Sequence, residues 1–190
     1  MSSFASTYEA FPMSNYDDDY DYEREHDDED DDDSVESHIW QLLLLINPGD
    51  GEGALRQFTA YRETVGEEGD DDPIRIVAQV TDWQASFEVE ADDTRTLIDA
   101  INELVSRWSE VEIDWGGDPG DDEFHEDIDG PEIFSRAFDS LNERGYTLWA
   151  REAEEDDMYA GWITSSRDDE AMRQLATVLG VNLRLGRDVT

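Results

Sequence analysis

The amino-acid sequence predicts an α+β fold: a mixed or mainly antiparallel sheet of about six strands with helices packed on it. Three observations carry this expectation. Several segments of 11 to 18 residues space their apolar residues at helical intervals. Short β-branched or aromatic runs lie between them, bounded by Gly, Asp and Pro clusters. The order helix, strand, strand, helix, strand appears twice, over roughly residues 53–115 and 131–186. The simplest arrangement places the helices on one face of the sheet, with a leucine-rich first helix at its centre. A chain of 190 residues suits one such domain, residues 35–190, preceded by a tail.

The tail is residues 1–34, which include YDDDYDYEREHDDEDDDDS. It is poor in aliphatic residues and carries one sign of charge, so it buries too little apolar surface to offset its ordering entropy and is predicted disordered. It reads as a solubilising appendage or as a lure for a basic partner. The start lacks a basic segment followed by an apolar one, so no secretory signal is predicted.

Ser34 is a helix cap with Glu36 in the first turn behind it, and HIWQLLLLI runs to Asn47-Pro48-Gly49. This helix is apolar nearly all round and is predicted buried. PGDGEGA is a turn that superficially resembles a phosphate loop, but it lacks a lysine and a preceding strand. A second helix covers about 53–65, with Ala54, Leu55, Phe58, Tyr61 and Val65 near helical spacing. After GEEGDDDP, the alternating IRIVAQV is predicted to be a strand, TDWQ a turn and ASFEVE a second strand. ADDTRTLIDAINELVSRW is a helix capped by Asp92 or Asp93, its stripe running from Leu97 to Trp108. VEIDW is a short strand.

The segment GGDPGDDEFHEDIDGP is a long acidic loop, of a length that is uncommon without a function. A helix from Pro131 to Arg144 ends at Gly145. YTLWARE is a strand, EEDD a turn, MYAGWITS a strand, SSRDDEAMRQLATVLG a helix and VNLRL the last strand. At an offset of 75, Asp82, Ala85, Phe87, Val89 and Leu97 meet Asp157, Ala160, Trp162, Thr164 and Met172, which suggests an internal repeat.

GYTLW, YAGWI and EIDWG, together with VTDWQASFEVEADDT and the sequence that follows them, resemble a bacterial family catalogued as domain of unknown function 6630. The resemblance spans about residues 36–187. It implies a bacterial, cytoplasmic α+β domain and brings no catalytic residues.

Charge narrows the function. The net charge is −39, and residues 1–34 hold 14 of the 52 acids and one of the 13 arginines, leaving 38 acids and 12 arginines, a net of −26, in the remainder. Such a field repels nucleic acid and anionic membrane and attracts cationic partners. All the basic residues are arginine, which fits either a GC-rich genome or a high-salt habitat. The absence of cysteine excludes disulfides, thiolate metal sites and a cysteine nucleophile. The longest apolar run is too short to span a bilayer, so a cytoplasmic location is expected.

Chemistry is thinly signalled. His38 and His125 lie in no recognisable catalytic setting. His125 stands beside Glu126, Asp127 and Asp129, but the spacing is not that of a calcium loop, and a solvated acidic loop is the plainer reading. Asp114, between Ile113 and Trp115, is the best placed carboxylate for a pocket. No cofactor, metal site or catalytic set is predicted. The expected function is a non-enzymatic binding module for a basic protein, of the neutraliser, nucleic-acid mimic or chaperone type. Its expected surface is Trp83, Asp114, Trp115, Asp118, Asp121, Asp122, Asp156, Asp157 and Tyr159, with aromatic anchors rimmed by acids. The alternative is a small carboxylate- or metal-dependent hydrolase built on the 114–129 loop.

Overall fold

The computed structural model describes residues 34–68, 72–153 and 157–190. The acidic tail therefore lies outside the described residues except for Ser34, as do residues 154–156 of the expected EEDD turn.

Helix starts follow from acidic and hydroxyl caps. Ser34 Oγ accepts from Ser37 N to open α1 (Val35–Ile46). Asp50 Oδ1 accepts from Gly53 N in the first turn of α2 (Gly51–Glu68). Asp72, Asp93, Asp121 and Asp129 do the same for α3 (Pro73–Val80), α4 (Thr94–Val105), α5 (Asp122–Asp127) and α6 (Gly130–Asn142). The last helix, α7 (Asp169–Leu179), ends at Gly180 in the left-handed region, φ +70°. Asn47 closes α1, its Nδ2 donating to Leu43 O and to Gln57 Oε1 of α2 at 2.8 Å each.

The described strands are β1 (Phe87–Glu90), β2 (Tyr146–Arg151), β3 (Met158–Ser165) and β4 (Leu183–Leu185). They form one antiparallel sheet in the order β1-β3-β2-β4. Period-two alternation divides it into two buried faces. Phe87, Val89, Leu148, Ala150 and Ile163 point to a core made with α4 and α6. Trp149 and Trp162, paired in register, point to a second core made with α1, α3 and α7. At Gly161 a Cβ would meet Trp149 O at 2.6 Å and the Phe87 ring at 2.7 Å, so the glycine makes room for that ring against the sheet. On the other face Ala160 is small enough for Arg151 of β2 to pair across it with Glu88 of β1.

The α+β class is as expected, and the second expected repeat unit appears element for element as α6-β2-β3-α7-β4. Several expectations are corrected. The sheet has four strands among the described residues rather than six. IRIVAQV is the helix α3, started by Asp72 as cap and Pro73 in the first turn, and it buries the adjacent Ile76 and Val77 together. A strand would send those two neighbours to opposite faces. VEIDW does alternate, with Ile113 and Trp115 buried and Glu112 and Asp114 exposed, but it pairs with no strand. Asp114 N donates to Ser140 Oγ of α6, and Arg136 of α6 donates to Trp115 O, so the segment is held by a helix. The first repeat unit accordingly does not match the second. Helices also cover both faces of the sheet rather than one, because both faces of β2 and β3 are apolar.

Candidate functional site

The expected partner-binding residues do not assemble into one surface. Trp83 lies in the turn before β1 and is 54 % exposed, the most exposed of the described tryptophans. Trp115 is buried, at 6 %, in the core with α4 and α6. Tyr159 is half-buried, its ring edge-on to Phe134 at 5.3 Å, and burial and the nearby Asp129 raise its phenol above the ordinary 10.0. Asp157 lies beyond the far end of the β1–β3 ladder, where its carbonyl accepts from Ala91 N. The length of β1 separates Trp83, before Phe87, from Asp157, beyond Glu90, and Tyr159 sits opposite Val89 near the Asp157 end. Asp156 is outside the described residues. The exposed aromatic patch expected of Trp83, Trp115 and Tyr159 thus reduces to Trp83.

The expected long loop is interrupted by the short helix α5, and its acids are engaged locally. Asp114 Oδ1 accepts from Gly116 N, Asp118 Oδ1 from Gly120 N and Asp121 Oδ1 from Glu123 N. Asp122 pairs with Arg95 at 2.7 Å, and Arg95 also reaches Pro119 O. His125 bridges Thr94 Oγ1 at 3.0 Å and Pro119 O at 2.8 Å, which fastens the loop to the start of α4. Among the described residues no group of three or more His, Asp or Glu is placed to hold a metal ion.

Trp83 instead edges a groove of about 290 Å³ between α3, the start of β1 and α4. Asp82, Glu88 and Glu103 bring carboxylates to it, and Ala78, Phe87 and Ala100 form an apolar floor. Glu88 is held by the buried Arg151, while Asp82 Oδ1 accepts from Gln84 N and so shapes the turn that presents Trp83. An indole face beside carboxylates suits an arginine or lysine side chain, which gains cation–π and ionic contacts together.

A second and larger cavity, about 900 Å³, opens on the other side of the same turn. It was not legible in the sequence. Its walls come from residues that follow helix or strand ends: Arg107 and Trp108 after α4, Arg144 and Tyr146 after α6, and Ser166 and Arg167 after β3. Trp108 was expected on the buried stripe of its helix, but α4 stops at Val105 and the indole stacks on Tyr146, ring centroids 4.2 Å apart. Arg107 lies over Trp108 at 4.6 Å and donates to Leu104 O and Ile46 O, the carbonyl ends of α4 and α1. Burial pushes this guanidinium down to about 10, against the opposing pull of Asp50 and Asp82, so it stays charged at neutral pH. The one signal in the sequence is that Arg107 and Arg144 each precede an aromatic residue by one or two positions. Only the fold brings them to one place.

A family model described as domain of unknown function (DUF6630) matches residues 38–186. No curated protein and no solved structure matches the chain. Among the described residues no helix is long and apolar enough to cross a membrane.

Proposed function

The chain belongs to the DUF6630 family, and from that footing we propose that it is a non-enzymatic binding module for a basic protein partner. The observation that carries this reading is the exposed Trp83 at the edge of a groove flanked by Asp82, Glu88 and Glu103. Aromatic side chains anchor interfaces, and the surrounding acids steer a cationic partner and speed its approach. The net charge of −26 after residue 34 supplies the long-range field and disfavours nucleic acid as the direct ligand. A neutraliser, a nucleic-acid mimic and a chaperone all share this requirement.

The test is retention of proteins on the immobilised full chain, in low and in high salt, with Trp83→Ala beside the wild type. The proposal expects a basic protein that is held in low salt, released in high salt and lost from the Trp83→Ala chain. Equal retention of a mixture of cationic proteins by both chains would reduce the binding to a nonspecific polyanion effect.

A further inference from the structure

We propose that the cavity walled by Arg107, Trp108, Arg144, Tyr146, Ser166 and Arg167 is a binding site for a small molecule carrying at least two oxyanion charges, phosphate or carboxylate. Among the described residues Arg62, Arg95, Arg136, Arg151 and Arg173 each make an ion pair. Among the same described residues the three arginines of this cavity make none, a state they share with Arg56, Arg184 and Arg187; what sets them apart is that all three line one cavity.

Asp50 and Asp82 act on Arg107 through space, but among the described residues no acid forms an ion pair with any of the three. The one carboxylate lining the cavity is Asp50, and its Oδ1 is engaged in the first turn of α2 by Gly53 N. The structural role open to these arginines, neutralising the carbonyl ends of helices, accounts for Arg107, which donates to Leu104 O and Ile46 O. It does not account for the other two. Arg144 stands just after α6, and its guanidinium makes no hydrogen bond among the described residues. Arg167 is oriented by one bond, from Nε to the buried Ser165 Oγ at 3.0 Å, which leaves its terminal nitrogens unengaged among the described residues.

Arginine presents paired donors that match a phosphate or carboxylate edge, and two such forks over a fixed positive wall suit a multiply charged ligand. Arg107 supplies that wall as a half-buried charge that does not need to touch the ligand. Ser166 Oγ adds a hydroxyl, itself placed by Thr147 Oγ1 at 2.9 Å. The stacked Trp108 and Tyr146 form an apolar side on which the carbon part of a ligand can rest. A cavity of about 900 Å³ is within the range of small-molecule sites. This site is independent of the Trp83 groove, and either proposal can fail while the other stands.

The experiment is calorimetric titration of the full chain with inorganic pyrophosphate and, separately, with citrate. Ionic strength is matched with sodium chloride, because any salt screens the self-repulsion of so acidic a protein. The comparison is the double variant Arg144→Gln/Arg167→Gln, whose side chains are solvent-exposed and whose fold is checked by its melting temperature. The expected result is saturable one-site binding of at least one probe, weakened by about tenfold or more in the variant. Binding of pyrophosphate alone assigns the site to phosphates, and binding of citrate alone assigns it to carboxylates. No saturable binding of either probe, or equal binding by wild type and variant, would overturn the proposal.

Discussion

Asp93 shows how a single acid serves the fold. Its Oδ1 accepts from Thr96 N at 2.9 Å and its Oδ2 from the Thr96 hydroxyl at 2.6 Å. The hydroxyl, and then the backbone N–H, hold this carboxyl below the ordinary 3.8. Because folding favours the charged form, the stabilisation is present above pH 3.8 and is lost as the pH falls through the lower folded value. Asp93→Ala is therefore expected to lose about 1 kcal/mol at pH 7, the usual effect of removing a helix cap. The gap between variant and wild type should narrow in acid below pH 3.8, as measured by urea unfolding at several pH values. A gap that stays constant into strong acid would mean that the cap bond does not carry the effect.

The same chemistry recurs at the scale of elements. Asp50, Asp72, Asp121 and Asp129 open four further helices, so part of the chain's acidity is local structural grammar rather than a partner signal. Helix α3 is where this grammar outweighs residue preference. Its residues are β-branched and loosely alternating, which favours a strand, yet Asp72-Pro73 supplies cap and first turn, and the core accepts Ile76 and Val77 side by side. Ile76→Ala should cost roughly 2–5 kcal/mol and Val77→Ala roughly 1.5–3 kcal/mol, both read from denaturant midpoints. A negligible loss at either position would contradict the joint burial of the two neighbours. The elements of the second half were legible because their helical and alternating patterns agree with their caps and turns. The segment 111–115 was half legible. Its alternation correctly marked Ile113 and Trp115 as buried, but whether an extended segment meets a strand or a helix depends on distant partners such as Ser140 and Arg136.

At the scale of the whole molecule, two helical layers enclose a sheet of four strands among the described residues, and the two proposed sites meet at the 81–86 turn between α3 and β1. Trp83 faces the acidic groove on one side, and Gln84 lines the arginine cavity on the other. The sign of the net charge was legible from composition, and Trp83 was already a candidate in the sequence, to which the structure adds its exposure. The acids around it were not, because Glu88 and Glu103 reach the groove from β1 and α4 only after folding. Asp114, Asp118, Asp121 and Asp122 had the right chemistry, but the fold spends their oxygens on turns, a helix cap and Arg95. The most direct measurement of the central claim is the nitrogen-15 spectrum of the full chain titrated with a short oligoarginine peptide in low salt. The indole signal of Trp83 is identified by its absence in Trp83→Phe. The account predicts saturable shifts centred on that indole and on the backbone amides of Glu88 and Glu103. Shifts spread evenly over the acidic surface, with the Trp83 indole unmoved, would contradict it.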